Sequence, residues 1–231
     1  MELGTVKVSN LSVSYLGTPV LQDINFEVAK GQMVGIIGPN GAGKSTLMKA
    51  MLGLVKASGE VIMDKNFAYM RQGGDYDLSF PILVKEVVML GMYPALGLFK
   101  RPKSKHWSLV EDALRRVGME AFKNRQIARL SGGQWQRVLI ARLLIQNADV
   151  IFLDEPFTGI DIETEAKLIE ILWQLRDAGK SIFMVYHDLE KVNTYFDEVI
   201  LINQVVIAKG APSAVLSDKM LRRAYLRGVG L

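Results

Sequence analysis

The sequence predicts an α/β fold in which helices cover the faces of a sheet. Helical stretches alternate with short, continuous apolar runs of the kind that form buried strands. These runs are Met33–Ile37, 150–153, 182–185 and 199–202. The first of them leads into a glycine-rich segment, and residues 44–54 then have helical periodicity. Strand, loop and helix therefore follow one another directly, which predicts a buried parallel strand connected to a helix.

Other elements are predicted on either side of that segment. Residues 5–15 alternate apolar and polar side chains and predict a strand, and 20–28 predict a second one. Between 73 and 147 apolar residues recur at helical spacing and no buried strand intervenes. The helical stretches there are 84–92, 109–117 and 138–145. The chain is therefore predicted to be one domain, 1–231, with a core of 1–72 and 148–231 and an inserted helical subdomain of 73–147.

Composition excludes several kinds of protein. The chain has 231 residues, 49% of them hydrophobic, which suffices for a substantial core. It has no cysteine and two histidines, so disulfides, thiolate metal sites and histidine-rich metal cages are not expected. No apolar stretch reaches the length of a membrane span, and the N-terminus lacks a secretory signal, which predicts a cytoplasmic chain. The net charge of +4 is spread along the chain and predicts no nucleic acid partner.

The glycine-rich segment GPNGAGKST has the composition of a phosphate-binding loop. It matches the pattern GxxxxGK[ST], in which backbone N–H groups wrap a β-phosphate and a helix N-terminus adds positive potential. Lys44 is expected to reach the β- and γ-phosphates, Ser45 to coordinate Mg²⁺, and Thr46 to donate toward the α-phosphate. A glycine-rich turn with an exposed lysine is the alternative. The predicted nucleotide-binding residues are Gly38, Pro39, Asn40, Gly41, Ala42, Gly43, Lys44, Ser45 and Thr46.

Two carboxylates, Asp154 and Glu155, close the apolar run at 150–153. Ligands of open α/β sheets bind at the carboxyl ends of the strands, so both side chains are expected near the phosphates. Asp154 is predicted to hold Mg²⁺ through water, and Glu155 to polarise the attacking water as a general base. Acidic residues at a strand end also occur as plain turn or cap residues, but a phosphate-binding loop in the same chain favours catalysis.

A five-residue turn, LSGGQ, lies between the phosphate-binding loop and the two carboxylates. Its S-x-x-Q spacing predicts a capping box that opens a helix running to Leu144. A cap does not require adjacent glycines, which have poor helix propensity and leave backbone N–H groups accessible to a partner. In this position the turn resembles the signature of the ATP-binding-cassette (ABC) ATPases, and the resemblance covers nearly the whole chain. The signature residues are Leu130, Ser131, Gly132, Gly133 and Gln134.

The resemblance implies a P-loop NTPase core with a mixed sheet flanked by helices, an antiparallel N-terminal β subdomain and an inserted helical subdomain. It also implies roles for residues whose type alone would not identify them. Gln72 matches the Q-loop glutamine, which contacts Mg²⁺ and the attacking water. His187 matches the switch histidine at the γ-phosphate, Asp161 matches the D-loop aspartate, and Tyr15 matches the aromatic residue that stacks on adenine. In TGID, Gly159 and Ile160 stand where many relatives carry Ala and Leu.

The same resemblance implies an assembly. LSGGQ binds the γ-phosphate of ATP held by a second copy, so the working unit is a head-to-tail homodimer that hydrolyses ATP with Mg²⁺. Integral membrane permease subunits are the expected partners, at the cytoplasmic side of the membrane, and residues 75–99 are expected to provide the docking surface for them. An extracellular or periplasmic metal-binding protein is an indirect partner.

The segments MLGMYPALGLFKRPKSKHW, RQIARLSGGQWQRVLIAR and DEPFTGID resemble the ATPases of manganese, zinc and iron uptake systems, and the manganese branch most of all. No residue of this chain is expected to select the metal. Two alternatives remain at this point: a soluble ABC-type ATPase that acts on nucleic acid or another macromolecule, and a non-ABC P-loop kinase or switch.

A cluster of cations precedes Trp107. It is interpreted either as the solvated start of a helix or as a contact surface for anionic lipid headgroups. Its members are Lys100, Arg101, Lys103, Lys105 and His106.

Overall fold

The computed structural model describes residues 6–71, 80–97 and 100–226, and it divides into two compact units. The core unit contains 6–67, 149–155 and 175–226, and the helical unit contains the described parts of 68–148 together with 156–174. No helix among the described residues is both long and apolar enough to span a bilayer.

The described elements, numbered along the chain, are as follows. The strands are β1 Val6–Tyr15, β2 Thr18–Val28, β3 Met33–Ile37, β4 Ser58–Ile62, β5 Phe67–Met70, β6 Val150–Asp154, β7 Ser181–Val185, β8 Glu198–Asn203 and β9 Val205–Gly210. The α-helices are α1 Lys44–Met51, α2 Val84–Met89, α3 Tyr93–Leu96, α4 Ser104–Arg116, α5 Gly132–Leu144, α6 Ile162–Asp177, α7 Leu189–Tyr195, α8 Pro212–Val215 and α9 Asp218–Tyr225.

The predicted N-terminal strands form an antiparallel sheet in the order β2-β1-β4. β1 buries alternate apolar side chains, including Val6 and Val8, against the core, as period-2 patterning requires. β4 was not predicted. Its sequence, SGEVI, has no alternating apolar pattern, and it is held by pairing with β1, for example Val8 with Val61.

The second sheet of the core unit is mixed, as predicted. Its strands run in the order β6-β7-β3-β8-β9, with β6, β7, β3 and β8 parallel and β9 antiparallel. β3, β6 and β7 are buried at every residue, which explains their continuous apolar sequences. Phe152 and Phe183 stack across neighbouring strands with ring centroids 5.3 Å apart. The carboxyl ends of these parallel strands meet at one edge, where the phosphate-binding loop and the two carboxylates follow them.

The helical unit is built on α2, α4 and α5. Their inward faces bury aliphatic side chains such as Val88, Leu114 and Val138. α5 opens with the predicted capping box: the Ser131 Oγ accepts from the Gln134 N–H at 3.2 Å, and the Gln134 Oε1 accepts from the Ser131 N–H at 3.1 Å. The helix ends at Leu144, also as predicted.

The observed boundary between the units differs from the predicted limits of the inserted subdomain, 73–147. Residues 156–174, which follow Glu155, belong to the helical unit although the sequence placed them in the core. The reason is a set of nonlocal contacts: Arg116 donates to the Gln174 side chain at 3.3 Å, and Gly133 lies against Gly159. The single-domain interpretation itself stays a prediction.

Candidate active site

The phosphate-binding loop connects β3 to α1. It is anchored on the turn between β8 and β9, because the Gln204 N–H donates to the Ala42 carbonyl at 3.0 Å. Gly43, the last residue before α1, has φ of +94°, and a Cβ there would lie 2.6 Å from the Leu21 side chain. Only glycine fits this position without strain. No side chain caps α1 and no acid occupies its first turn, so the N-terminal N–H groups face no competing carboxylate of their own helix. Such a helix start suits an anionic phosphate.

Lys44 is half-buried at the base of this loop. Its Nζ donates to the carbonyls of Gly38 and Pro39 at 2.8 and 2.9 Å. Burial lowers the pKa of the ammonium, and the nearby carboxylates of Glu155 and Asp154 counteract that shift. The Lys44 ammonium is therefore held by carbonyls of the phosphate-binding loop, and the charges of Glu155 and Asp154 favour its protonated form.

Ser45 and Asp154 meet at the same edge of the sheet. The Ser45 hydroxyl donates to the Asp154 Oδ1 at 2.9 Å, and Asp154 is 2% exposed. Burial raises the pKa of the Asp154 carboxyl; the Ser45 hydrogen bond lowers it and the neighbouring Glu155 charge raises it further.

These two oxygens fit a hard cation such as Mg²⁺, which uses one or two protein oxygens and completes its shell with water and phosphate. Within the described ranges no cluster of three or more acidic, histidine or cysteine side chains offers an all-protein cage. The donor set fits a magnesium ion whose remaining ligands are water and phosphate.

Replacing Asp154 with asparagine is expected to raise the thermal stability of the nucleotide-free protein at neutral pH. The pKa of Asp154 is raised in the fold, so its ionised form is less favourable there than in the unfolded chain, and asparagine keeps the Ser45 acceptor without the buried charge. Each kcal/mol gained corresponds to about 2–4 °C in Tm.

The pH dependence of that difference follows from the sign of the shift. Above the raised pKa, Asp154 is ionised and its burial lowers the stability of the fold. This cost disappears as pH falls toward the ordinary pKa of aspartate, about 4. The gap in Tm between variant and wild type should therefore narrow on acidification. Mg²⁺ with ATP should stabilise the variant less than the wild type. Equal melting temperatures at neutral pH would show that burial of Asp154 carries no cost.

Glu155 leaves β6 with a left-handed backbone, at φ of +49°. Side chains other than glycine reach that region at a cost on the order of 1–2 kcal/mol. Such strain persists where the surroundings fix a residue, and it concentrates at functional sites. The half-buried Glu155 directly follows Asp154, whose carboxylate oxygen suits magnesium. The negative charge of Glu155 acts on the Lys44 ammonium.

His187 follows the neighbouring strand. β6 and β7 are parallel, with Asp154 paired to Val185, so His187 lies at the same edge of the sheet as the two carboxylates. Its ring is exposed and lies 5.9 Å from the Tyr186 ring, centroid to centroid. Asp188 is the N-cap of α7, and its side chain accepts from the Glu190 N–H at 3.1 Å. The cap fixes the chain direction just after the histidine.

The signature turn and the D-loop are both in the helical unit and contact each other. A Cβ on Gly133 would lie 2.8 Å from the Gly159 carbonyl oxygen, whereas one on Gly132 would meet nothing within 4 Å. Asp161 accepts from the Thr164 N–H at 2.9 Å, and that hydrogen bond is the main reason that the pKa of its carboxyl is lowered. The absence of a side chain at Gly133 therefore lets the D-loop backbone seat against the signature turn.

Alanine substitutions at the two glycines should have opposite effects on stability. Both residues are helical, so alanine gains up to about 1 kcal/mol of helix propensity at either site. At Gly133 the added methyl also meets the Gly159 carbonyl, and overpacking of this kind costs about 1–3 kcal/mol. Thermal unfolding should show an unchanged or higher Tm for Gly132→Ala and a lower one for Gly133→Ala. Equal shifts would contradict the close approach.

The structure brings the predicted site residues together in two groups. The core unit holds the phosphate-binding loop, Asp154, Glu155 and His187 at one edge of its sheet, and the helical unit holds Leu130 to Gln134 with Asp161. Gln72 lies outside the described residues. Tyr15 ends β1 and is 45% exposed, as a stacking residue requires.

Sequence reasoning missed two supports of the site. Gln204 holds the phosphate-binding loop through its backbone, which leaves no mark on residue type. Gly159, at φ of +76°, supplies the carbonyl that packs on Gly133. The available signal for the second was the glycine itself.

Comparisons with known proteins agree on one family. The family model described as ABC transporter matches residues 21–158. The chain is 48% identical over 228 residues to the manganese transport system ATP-binding protein MntB of Halalkalibacterium halodurans, covering 95% of this chain and 91% of that protein. It is 44% identical over 229 residues to the zinc transport system ATP-binding protein TroB of Treponema pallidum, covering 95% and 86%.

A solved structure agrees as well. The chain matches cbiO1 of Clostridium perfringens, part of the ABC transporter complex cbiONQ, with a TM-score of 0.80 and 30% identity over 98% of this chain and 96% of that one.

Proposed function

The chain belongs to the ABC transporter family, and from that premise we propose that it is the ATPase subunit of an importer of divalent metal ions, with manganese favoured over zinc and iron. The observation that carries the proposal is the juxtaposition at one sheet edge of a phosphate-binding lysine, the Ser45–Asp154 oxygen pair and Glu155. Curated relatives at 44–48% identity are ATP-binding proteins of manganese and zinc transport systems.

ATP is the substrate, and it binds at the carboxyl edge of the core-unit sheet. Its phosphates lie on the N-terminal N–H groups of α1 and on the loop before it, and Lys44 supplies the compensating cation. Tyr15 stacks on the adenine. Ser45, Asp154 and Gln72 hold Mg²⁺, which neutralises phosphate charge when bound.

Hydrolysis requires a water activated beside the γ-phosphate. Glu155 accepts a proton from that water as its oxygen attacks phosphorus, the bond to the ADP oxygen breaks, and phosphate leaves. His187 donates a hydrogen bond to the γ-phosphate from the neighbouring strand end. A general base ordinarily increases the reaction rate by a factor of roughly 10²–10⁴.

The complete catalytic centre requires a second copy. Within the signature turn the Leu130 N–H donates to the Ile127 carbonyl at 3.1 Å, and the Ser131 and Gln134 N–H groups are engaged in the capping box. Gly132 and Gly133 therefore provide the N–H groups that can meet a ligand. In a head-to-tail homodimer this turn contacts the ATP bound by the partner, so that two ATP molecules close the pair. Asp161, seated beside the signature turn, faces the same junction.

The remaining partners are membrane proteins. Permease subunits receive the motion of the dimer at the cytoplasmic face of the membrane, and residues 75–99, of which 80–97 are described, contact them. Phe80, Leu90 and Tyr93 are exposed in that segment. A metal-binding protein on the other face delivers the ion, and the permease and that protein select it. An ATPase that acts on nucleic acid is not favoured, because the relatives above are transport subunits.

Uptake measurements test the proposal. A strain that lacks this chain should lose uptake of labelled Mn²⁺ more than uptake of Zn²⁺ or Fe²⁺, and the wild-type chain should restore it. Glu155→Gln serves as the matched inactive control and should fail to restore it. Unchanged uptake of all three ions would refute the metal-import assignment, and a selective loss of Zn²⁺ or Fe²⁺ uptake would change the cargo.

A further inference from the structure

A patch of four exposed cations lies at the start of α4 in the helical unit. We call it the basic patch; it consists of Lys100, Arg101, Lys103 and Lys105. Between Glu86 and Glu111 the sequence contains no aspartate or glutamate. The patch is therefore a local concentration of one charge sign in a protein whose overall charge is only +4.

The cations of the basic patch have no ion-pair partner within the described part of the chain. The first acids that follow them are already engaged: Glu111 pairs with Lys123 at 2.6 Å and Asp112 pairs with Arg115 at 3.3 Å. The positive potential of the patch is therefore not cancelled by the helix that carries it.

The cap of α4 adds no negative charge to the patch. His106 accepts the Lys103 N–H at Nδ1, 2.9 Å away, in the position where a capping box ordinarily uses Glu or Gln. The first turn of α4 contains no acid, although cations at a helix N-terminus are unfavourable with respect to the helix dipole. The start of α4 thus departs from the usual preference for acidic residues at a helix N-terminus. Such departures from local preference occur at functional surfaces.

An apolar side chain accompanies the cations. Leu109 lies one turn beyond Lys105 on α4 and is 51% exposed. Lysine and arginine beside exposed aliphatic side chains are the composition of surfaces that lie on anionic bilayers. A nucleic acid backbone would engage the cations but would leave Leu109 in water.

We propose that the basic patch binds the anionic phospholipid headgroups of a membrane surface. The binding needs neither ATP, nor metal ion, nor permease, so it goes beyond the proposed function and can fail or succeed independently of it. Its strength falls as salt rises, because the attraction between exposed charges is screened.

Vesicle sedimentation tests the proposal with the full chain. The wild type should bind vesicles that contain phosphatidylglycerol and should not bind pure phosphatidylcholine. A variant with Lys100→Ser, Arg101→Ser, Lys103→Ser and Lys105→Ser should bind the anionic vesicles roughly 600-fold more weakly, at about fivefold for each of the four cations. The four side chains are exposed, and an unchanged Tm and ATPase rate would verify that the variant is folded.

A second variant separates the patch from net charge. Lys7→Ser, Lys56→Ser, Lys65→Ser and Lys219→Ser remove four other exposed cations, so both variants change the formal net charge from +4 to 0. The control variant should retain near wild-type vesicle binding. Equal losses in the two variants, equal binding to neutral vesicles, or displacement of the vesicles by DNA or RNA that binds the patch more tightly would overturn the proposal. Loss of metal uptake in cells bears on the proposed function alone.

Discussion

Glutamine in place of Glu155 is expected to slow ATP hydrolysis by roughly 10²- to 10⁴-fold while ATP binding persists. The amide has nearly the same shape as the carboxylate, so the strained backbone at φ of +49° and the packing around it are retained. What the variant loses is the proton acceptor. It also loses a negative charge beside Asp154 and Lys44, so repulsion of the triphosphate falls and ATP affinity should be equal or higher.

The measurements are steady-state hydrolysis and equilibrium nucleotide binding on the same preparation. Glu190→Gln is the matched control: the residue is exposed, belongs to the same unit and follows His187 closely, and its variant should hydrolyse ATP at the wild-type rate. A dimer trapped by ATP should accumulate with Glu155→Gln and not with the control. Wild-type turnover in Glu155→Gln would exclude Glu155 as the base.

The parts of the site that follow from local sequence could be predicted. A buried parallel strand has a continuous apolar sequence, so Met33–Ile37 was located without error, and the run at 150–153 missed only Asp154, the charged last residue of β6. Parallel strands place their carboxyl ends at one edge, and that rule predicted Asp154 and Glu155 near the phosphates, whereas His187 was identified only through the resemblance to the ABC ATPases. The S-x-x-Q spacing likewise predicted the cap of α5.

Features that depend on distant segments could not be predicted. β4 exists because β1 offers it a partner, and its own residues carry no strand pattern. The packing of Gly159 on Gly133 joins positions 26 residues apart, and it draws 156–174 to the helical unit. The helix predicted for 44–54 ends at Met51, because Gly53 has φ of +68°, which a helix does not accommodate.

The buried charges at the sheet edge support the proposed ligand, a triphosphate with Mg²⁺. Asp154 is buried with a pKa raised by desolvation, and Lys44 is half-buried with a pKa lowered by the same cause. Each charge is less stable here than in water, and each is stabilised by a partner of opposite sign. A triphosphate with Mg²⁺ supplies both partners at once, an anion for Lys44 and a cation for Asp154.

Alanine in place of Lys44 is expected to abolish measurable nucleotide binding. The ammonium is the only cation that the described loop 38–46 contributes, and each charge-assisted hydrogen bond to phosphate is worth about 1.5–3 kcal/mol. Loss of contacts to both the β- and γ-phosphates therefore weakens ATP binding by roughly 10²- to 10⁴-fold. Titration with a fluorescent ATP analogue, followed by competition with ATP, measures the change.

Two further variants separate charge from loop structure. Lys44 also donates to the Gly38 and Pro39 carbonyls, so alanine could act by loosening the loop. Arginine retains the charge and the donors in a different shape, and Lys44→Arg should recover part of the affinity that alanine loses. Lys56→Ala removes an exposed cation of the same unit, shortly after α1, and should leave binding within about threefold of the wild type, since exposed charges contribute little. If Lys44→Ala also bound ATP within that range, the phosphate-binding role of the loop would be refuted.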